Sequence, residues 1–179
     1  MIIGITGFIG AGKTTVGALL KKEFGFKVLS LSSTIRDELN RRGDALIRKN
    51  FQAVAAELRN EFGKAVLAER ALKQVEAVGG DWIIESVRHP EEAVAIQKTG
   101  LMLGVVASEK VRHSRIVSRG RAEDEVALSF EDFKKEDLHD RNLVDMDKTL
   151  ENCDFILSND STLDQLKEQL DALLKKIRS

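Results

Sequence analysis

Cysteine and proline are almost missing from this sequence: Cys153 and Pro90 are the only residues of their kinds among 179. A single cysteine excludes an internal disulfide framework, and we expect Cys153 to be a small apolar filler rather than a nucleophile. The three histidines stand too far apart in the chain to indicate a zinc site. Function must therefore come from other chemistry.

Long apolar runs and an excess of one charge are also lacking. No segment approaches the roughly 20 apolar residues of a membrane span, and the N-terminus has no charged region followed by an apolar segment and a cleavage site. We therefore expect a cytoplasmic protein with no membrane partner. The sequence has 28 Lys and Arg residues and 29 Asp and Glu residues, which gives a net charge of −1. That balance gives no global attraction to nucleic acid, so any basic function must be local.

A glycine-rich segment at residues 7–15 is the strongest motif. It reads Gly-Phe-Ile-Gly-Ala-Gly-Lys-Thr-Thr and fits the pattern G-x-x-x-x-G-K-S/T. An apolar strand pattern precedes it and a helical apolar spacing follows it, which is the context this motif requires. Its backbone N–H groups and the helix N-terminus can hold an anion. We expect ATP to contact Gly7, Gly10, Ala11, Gly12, Lys13, Thr14 and Thr15.

Strand and helix patterns alternate along the rest of the chain. Strands are predicted at 2–6, 27–32, 81–85, 102–107 and 154–159, with amphipathic helices between them. This alternation predicts one α/β domain, a three-layer αβα sandwich around a five-stranded parallel sheet. Consecutive helices before the third strand exceed a single crossover, so residues of about 38 to 64 are predicted to form a helical insertion over the site.

Three charged residues are predicted to lie at or shortly after the ends of strands. Ser32, Ser33 and Thr34 can cap the helix after the second strand, which places Arg36 in its first turn. Glu85 ends the third strand and, together with the Thr14 hydroxyl, is expected to hold Mg²⁺. Arg88 belongs to the same edge of the sheet.

Arginines recur after the fourth strand. Arg112, Arg115 and Arg119 share one helix face, a spacing that favours contact with a polyanion. Arg121 continues the cluster and Arg141 follows a polar segment with few apolar anchors. We expect this segment to be a mobile cover, with a short helix near Phe130 and Phe133.

These motifs together resemble the nucleoside-monophosphate kinase superfamily over essentially the whole chain, and closely the archaeal adenylate-kinase-related proteins near dephospho-CoA kinase. The resemblance implies an acceptor-binding insertion at about 33–64 and a lid at about 119–142. It further implies acceptor contacts from Ser33, Arg36, Arg59 and Arg88, and catalytic roles for Lys13, Arg115, Arg119, Arg121 and Arg141. Asn159, together with Asp160, resembles the loop that lies against the ATP adenine. Ser33 and Glu85 stand where the family commonly has Asp, so the resemblance leaves the acceptor open.

The predicted function is ATP- and Mg²⁺-dependent phosphoryl transfer to a small phosphorylated acceptor, a nucleoside monophosphate such as AMP being favoured. A dephospho-CoA-kinase-like activity, a P-loop NTPase switch and a regulatory module without turnover are the alternatives. Arginines placed for two separate anions favour a kinase, and the base-specificity motif N-K-x-D of G proteins is absent from the sequence.

Overall fold

The protein is described here from a computed structural model that covers residues 1–120 and 128–178. Within those residues five strands form one sheet in which all neighbours are parallel. The strands are β1 Ile2–Thr6, β2 Lys27–Ser30, β3 Trp82–Glu85, β4 Leu101–Val106 and β5 Phe155–Ser158. Their order across the sheet is β2-β3-β1-β4-β5. The strand β1 is thus central, with β3 on one side and β4 on the other.

Helices cover both faces of the sheet. In the described ranges they are α1 Lys13–Phe24, α2 Leu31–Arg42, α3 Arg48–Phe62, α4 Val66–Val78, α5 Pro90–Gln97, α6 Glu109–Arg119, α7 Phe130–Leu143, α8 Met146–Glu151 and α9 Leu163–Arg178. None of these helices is both long enough and apolar enough to cross a membrane.

Two hydrophobic cores lie on opposite faces of the sheet because successive side chains of a strand point in opposite directions. On β3, Ile84 joins the core formed with α2 to α5, whereas its neighbour Ile83 joins the core formed with α1 and α9. On β1, Ile2 and Ile3 divide in the same way. The predicted three-layer sandwich with five parallel strands is confirmed.

The start of α2 differs from the prediction. The strand β2 ends at Ser30, and the helix begins at once with Leu31, which is 2% exposed and packs into the core. Ser33 and Thr34 therefore lie inside the first turn, where their hydroxyls donate to the carbonyls of Ser30 and Leu31 at 2.7 Å each. The prediction that they cap the helix was wrong, and Arg36 falls one turn later than expected.

Two smaller differences lie towards the C-terminus. The predicted short helix is the 14-residue α7, and α8 had no counterpart in the sequence prediction. At the start of α9, the Thr162 hydroxyl accepts from the amide of Gln165 at 3.3 Å.

Candidate phosphate-binding site

The loop between β1 and α1 requires glycine at two positions for reasons of space as well as backbone conformation. Gly7 has a φ of 142°, and a Cβ there would overlap the carbonyl of Val105 on β4. Gly12 has a φ of 99°, and a Cβ there would overlap the side-chain amide of Asn159. No side chain caps the N-terminus of α1. Its amides can therefore bind a phosphate, which is the arrangement that the motif predicts.

Lys13 folds back onto this loop. Its Nζ donates to the carbonyls of Gly7 at 2.7 Å and of Phe8 at 2.8 Å. Burial and, after it, the nearby positive charges of Arg88, Arg112 and Arg119 together lower its pKa from 10.5 to about 8. An anion placed among these groups would be stabilised by all of them.

A cavity of about 140 Å³ opens beside Lys13. One wall is the loop at residues 7–9, another is the turn at 86–88 after β3, and α7 closes the third side. Arg88 and Arg141 both line the cavity, and so does the carboxylate of Asp140. The structure thus places two guanidinium groups and one ammonium around a single space.

Glu85 ends β3 beside α1, as the sequence predicted for a strand next to the loop. The carboxylate packs against Gly17, one helical turn beyond Thr14, and a Cβ at Gly17 would overlap its Oε1 atom. Burial raises the pKa of Glu85, while the charge of Lys13 acts in the opposite direction.

The oxygen donors of Thr14 and Glu85 suit Mg²⁺, which is usually held with nucleotide phosphates by one or two carboxylates. Within the described ranges, no cluster of three or more His, Cys, Asp or Glu residues could hold a metal ion. A metal at this place would therefore depend on the nucleotide for its remaining ligands.

Comparison with known proteins identifies the family of this chain. A domain family described as "AAA domain" (AAA_18) matches residues 3–139. A UPF0200 protein of Pyrobaculum aerophilum is 31% identical, with 99% of this chain and 98% of that protein covered. The chain belongs to the UPF0200 family. A second UPF0200 protein, from Sulfurisphaera tokodaii, is 30% identical and is covered to 97% of its length.

Solved structures identify the fold. The protein TT1252 from Thermus thermophilus shares 23% identity at a TM-score of 0.63, with 98% of this chain and 97% of that chain covered. Shikimate kinase from Bacteroides thetaiotaomicron shares 19% identity at a TM-score of 0.58, with 100% and 99% covered. The fold is that of the P-loop kinases.

The common helix face of the three α6 arginines suggested a single role for them. The structure gives them different contacts. Arg112 is 1% exposed and forms a bidentate ion pair with Asp137 of α7, one branch of which measures 2.8 Å. Its guanidinium also donates to the carbonyl of Ile9 in the phosphate loop at 3.2 Å. Arg112 is therefore a structural link rather than a free cation for a polyanion.

Arg115 and Arg119 remain close to the loop. Arg115 donates to the Asn159 carbonyl at 2.8 Å, while its buried second nitrogen, Nη1, has no hydrogen-bond partner in the described part of the chain. Arg119 lies close enough to lower the pKa of Lys13. The third predicted residue of this group, Arg121, lies outside the described residues.

Arg141 reaches the loop from α7. Its guanidinium carbon lies 4.3 Å from the ring centre of Phe8, and it forms an ion pair with Asp147 at 2.6 Å. The hydrogen bond to Asp147 raises the pKa of Arg141, and the charge of Asp137 adds to this effect. The sequence provided no signal for the contact with Phe8.

Asn159 lies at the phosphate loop and is hydrogen-bonded to it, while its contact with the ATP adenine stays a prediction. It is 6% exposed, and its side-chain amide donates to the carbonyl of Ala11 at 2.8 Å. Its own amide donates to the carbonyl of Val106 at 2.8 Å. Asn159 thus ties the end of β5 to the phosphate loop.

The other predicted acceptor contacts do not line this cavity. Arg36 is exposed on α2, with its guanidinium carbon 6.0 Å from the ring centre of Phe51, and it does not line the cavity. Ser33 uses its hydroxyl on α2 itself. Arg59 forms an ion pair with Glu92 at 3.0 Å. The structure therefore brings Arg141, rather than Arg36, to the same cavity as Arg88.

Proposed function

We propose that this protein transfers the γ-phosphoryl group of ATP to a small phosphorylated acceptor, with a nucleoside monophosphate, AMP in particular, as the favoured substrate. One observation carries the proposal: Lys13, which belongs to the ATP-binding loop, lines the same cavity as Arg88 and Arg141. A simple NTPase switch has no need for a second set of cations beside the γ-phosphate position.

In this proposal the donor occupies the phosphate loop. The loop amides and Lys13 bind the β- and γ-phosphates, and Lys13 exchanges its bonds to the loop carbonyls for bonds to phosphate oxygens. Thr14 and Glu85 would hold Mg²⁺, which neutralises charge on the phosphates when it is bound. Arg115 offers its buried Nη1, which has no hydrogen-bond partner within residues 1–120 and 128–178, close to Gly12. Arg119 adds positive charge, and we retain Arg121 as a predicted contributor.

The acceptor phosphate occupies the cavity between Arg88 and Arg141. Both guanidinium groups can donate to the oxygens of one dianionic phosphate in this space, and Arg141 can do so while it stays paired with Asp147. The helical insertion, with Ser33, Arg36 and Arg59, supplies the wall for the rest of the acceptor. The segment at about 119–142 acts as the lid, with α7 as its described part.

The test is a panel of acceptors assayed with Mg²⁺ and ATP for ADP release and for the phosphorylated product. The panel contains the nucleoside monophosphates, dephospho-CoA and shikimate, since one solved structure of this fold is a shikimate kinase in complex with shikimate. We expect turnover with a nucleoside monophosphate. Lys13→Ala should reduce it at least 100-fold, about 2.7 kcal/mol of transition-state stabilisation, with no loss of folding.

Arg88→Ala separates acceptor recognition from ATP hydrolysis. It should raise the acceptor KM and lower kcat while ATP affinity stays within twofold, because Arg88 belongs to the turn after β3 and not to the loop that binds the ATP phosphates. If ATP is hydrolysed at the same rate with and without every panel member, the protein is a switch or a regulatory module. Phosphorylation of shikimate alone would replace the phosphorylated acceptor by a hydroxy acid.

A further inference from the structure

Glu92 is a charged residue that the proposed reaction does not use, yet its side chain is fully buried, with 0% exposure. It lies in the first turn of α5. A carboxylate removed from water is costly unless it is paired and hydrogen-bonded. Its first oxygen, Oε1, accepts from Nη2 of Arg59 at 3.0 Å. Its second oxygen, Oε2, accepts from the amides of Arg88 at 2.9 Å and His89 at 3.2 Å.

The turn that carries Arg88 is held from its other side as well. The carbonyl of Arg88 accepts from the hydroxyl of Thr149 on α8 at 2.7 Å, and the carbonyl of Val87 accepts from the hydroxyl of Thr6 on β1 at 2.8 Å. Both threonines are 0% exposed. The peptide groups on both sides of Arg88 are therefore bonded to buried side chains, while its own side chain is exposed to the cavity.

The backbone just before this turn is strained. Ser86 has a φ of 67°, a left-handed conformation that costs a residue other than glycine about 1 kcal/mol or more. Such a conformation persists only where the surrounding contacts determine it. The Ser86 hydroxyl is hydrogen-bonded to that of Ser30 at 3.1 Å, and the bonds to Thr6, Thr149 and Glu92 hold the three residues that follow.

We propose that Arg59 and Glu92 form a positioning pair that sets the backbone of Arg88 for the acceptor phosphate. This inference rests on the proposed function. Arg59 belongs to α3 in the helical insertion, and Glu92 joins it to a turn 29 residues later in the chain. Arg59 thus acts through Glu92, and the placement of the insertion and of Arg88 depends on one carboxylate. A displacement of about 1 Å in such a group can reduce a rate 100-fold.

The test measures amide hydrogen exchange in residues 86–92 together with the binding of AMP and of ATP. Arg59→Ala should accelerate exchange in residues 86–92 at least tenfold and leave the neighbouring strand β3 unchanged. It should weaken AMP binding at least tenfold, with ATP affinity within twofold. Arg59→Lys should restore most of both, because the bond between Nη2 and Glu92 is a single one that an ammonium can replace.

The control is Glu57→Gln, which breaks another link of the same helix, the ion pair with Arg42 of α2 at 2.7 Å. It should change neither quantity, because that pair does not reach Arg88. If Arg59→Ala does not fold, Arg59→Met combined with Glu92→Gln removes both charges and leaves no carboxylate unpaired. Accelerated exchange in residues 86–92 of that double variant, with weaker AMP binding, also supports the pair.

Unchanged exchange in residues 86–92 overturns the positioning pair, and so does an equal loss of AMP and ATP binding. Accelerated exchange with normal AMP binding shows a structural link only and likewise overturns it. A different experimental result would contradict the proposed function. A wild-type protein that phosphorylates no panel member contradicts that function, whereas the exchange measurement judges the hold of Arg59 and Glu92 on the turn without any acceptor.

Discussion

At the scale of single residues, Lys13 couples nucleotide binding to pH. Its pKa of about 8 in the folded protein lies below the ordinary value of 10.5 because the ammonium is buried among arginines. A bound phosphate returns the pKa towards its ordinary value, so ATP binding takes up a proton once the free protein has lost it. The γ-phosphate does not interfere, since its last pKa lies near 6.

We expect the ATP affinity to be constant up to about pH 8 and then to fall, by up to tenfold per pH unit, as the free Lys13 deprotonates. Calorimetric titration between pH 7 and pH 10 in buffers of different ionisation enthalpy measures both the affinity and the proton uptake. The control is Lys13→Met, which should bind weakly with no such pH dependence. The same slope in that variant would assign the effect to another group.

The lowered pKa also affects stability. Between pH 8 and pH 10.5 the unfolded chain holds more protons at Lys13 than the folded protein does. The contribution of this group to the free energy of unfolding therefore rises with pH across that window. Below pH 8 the buried ammonium destabilises the folded state to its full extent. Urea unfolding measured at a series of pH values in this range should show that the free energy of unfolding rises more steeply with pH in the wild type than in Lys13→Met. A wild-type slope equal to that of the variant would contradict the lowered pKa.

Gly17 lies against the Glu85 carboxylate. Alanine in a helix is ordinarily more stable than glycine by about 1 kcal/mol. At Gly17, however, the added methyl group would displace the Glu85 carboxylate. Gly17→Ala should therefore lower Mg²⁺-dependent turnover at least tenfold while thermal stability is kept.

A double-mutant cycle with Glu85→Gln tests this explanation. If the glycine acts only by making room for the carboxylate, Gly17→Ala should add little to the loss caused by Glu85→Gln. Fully additive losses would mean that Gly17 acts on another part of the site.

At the scale of elements, a buried ion pair joins α6 to α7 in addition to the ring contacts of His113 with Phe130 and Phe133. Arg112 and Asp137 are 1% and 4% exposed, and the Arg112 guanidinium carbon lies 5.0 Å from the ring centre of Phe8 and 5.2 Å from that of Phe133. Since Arg112 also bonds to the loop carbonyl of Ile9, this pair joins two helices to the phosphate loop.

Asp137→Asn should leave the Arg112 charge buried without its partner and lower the free energy of unfolding by about 3–5 kcal/mol. Urea denaturation followed by circular dichroism measures this loss. Glu136→Gln, an exposed neighbour on α7, serves as the control and should be neutral. A change in Asp137→Asn no larger than in this control would mean that the ion pair contributes nothing to the contact.

At the scale of the whole molecule, the proposed donor and acceptor sites share one cavity. It is formed by the loop after β1, the turn after β3, and the helices α7 and α8. A bisubstrate analogue that bridges the two sites should stabilise the fold by mass action, by about 2.7 kcal/mol at 100 times its Kd.

The analogue should also slow amide hydrogen exchange in α6 and α7, because these helices carry Arg115 and Arg141 to the site. The helix α9 lies behind the sheet and should not change, so it serves as the internal reference. Unchanged protection of α7, with the melting temperature raised, would contradict its part in a lid.

The sequence by itself determined the phosphate loop and the elements around it. The motif is contiguous, its glycines are needed for local backbone conformation, and the apolar spacing of its neighbours predicts their type. It also placed Glu85 and Arg88 correctly at the edge of the sheet, because the ends of adjacent parallel strands lie next to each other.

Only the tertiary structure decided how the charged side chains are paired. Asp137 lies 25 residues after Arg112, and Asn159 lies 148 residues after Ala11, so no local pattern connects either pair. No local pattern shows, either, that Arg141 rather than Arg36 lines the same cavity as Arg88. Polar contacts of this kind depend on which helix faces meet after the apolar cores have packed. The spacing of charges along a helix shows which side chains share a face, and the packing alone decides whether that face binds a ligand or a buried carboxylate.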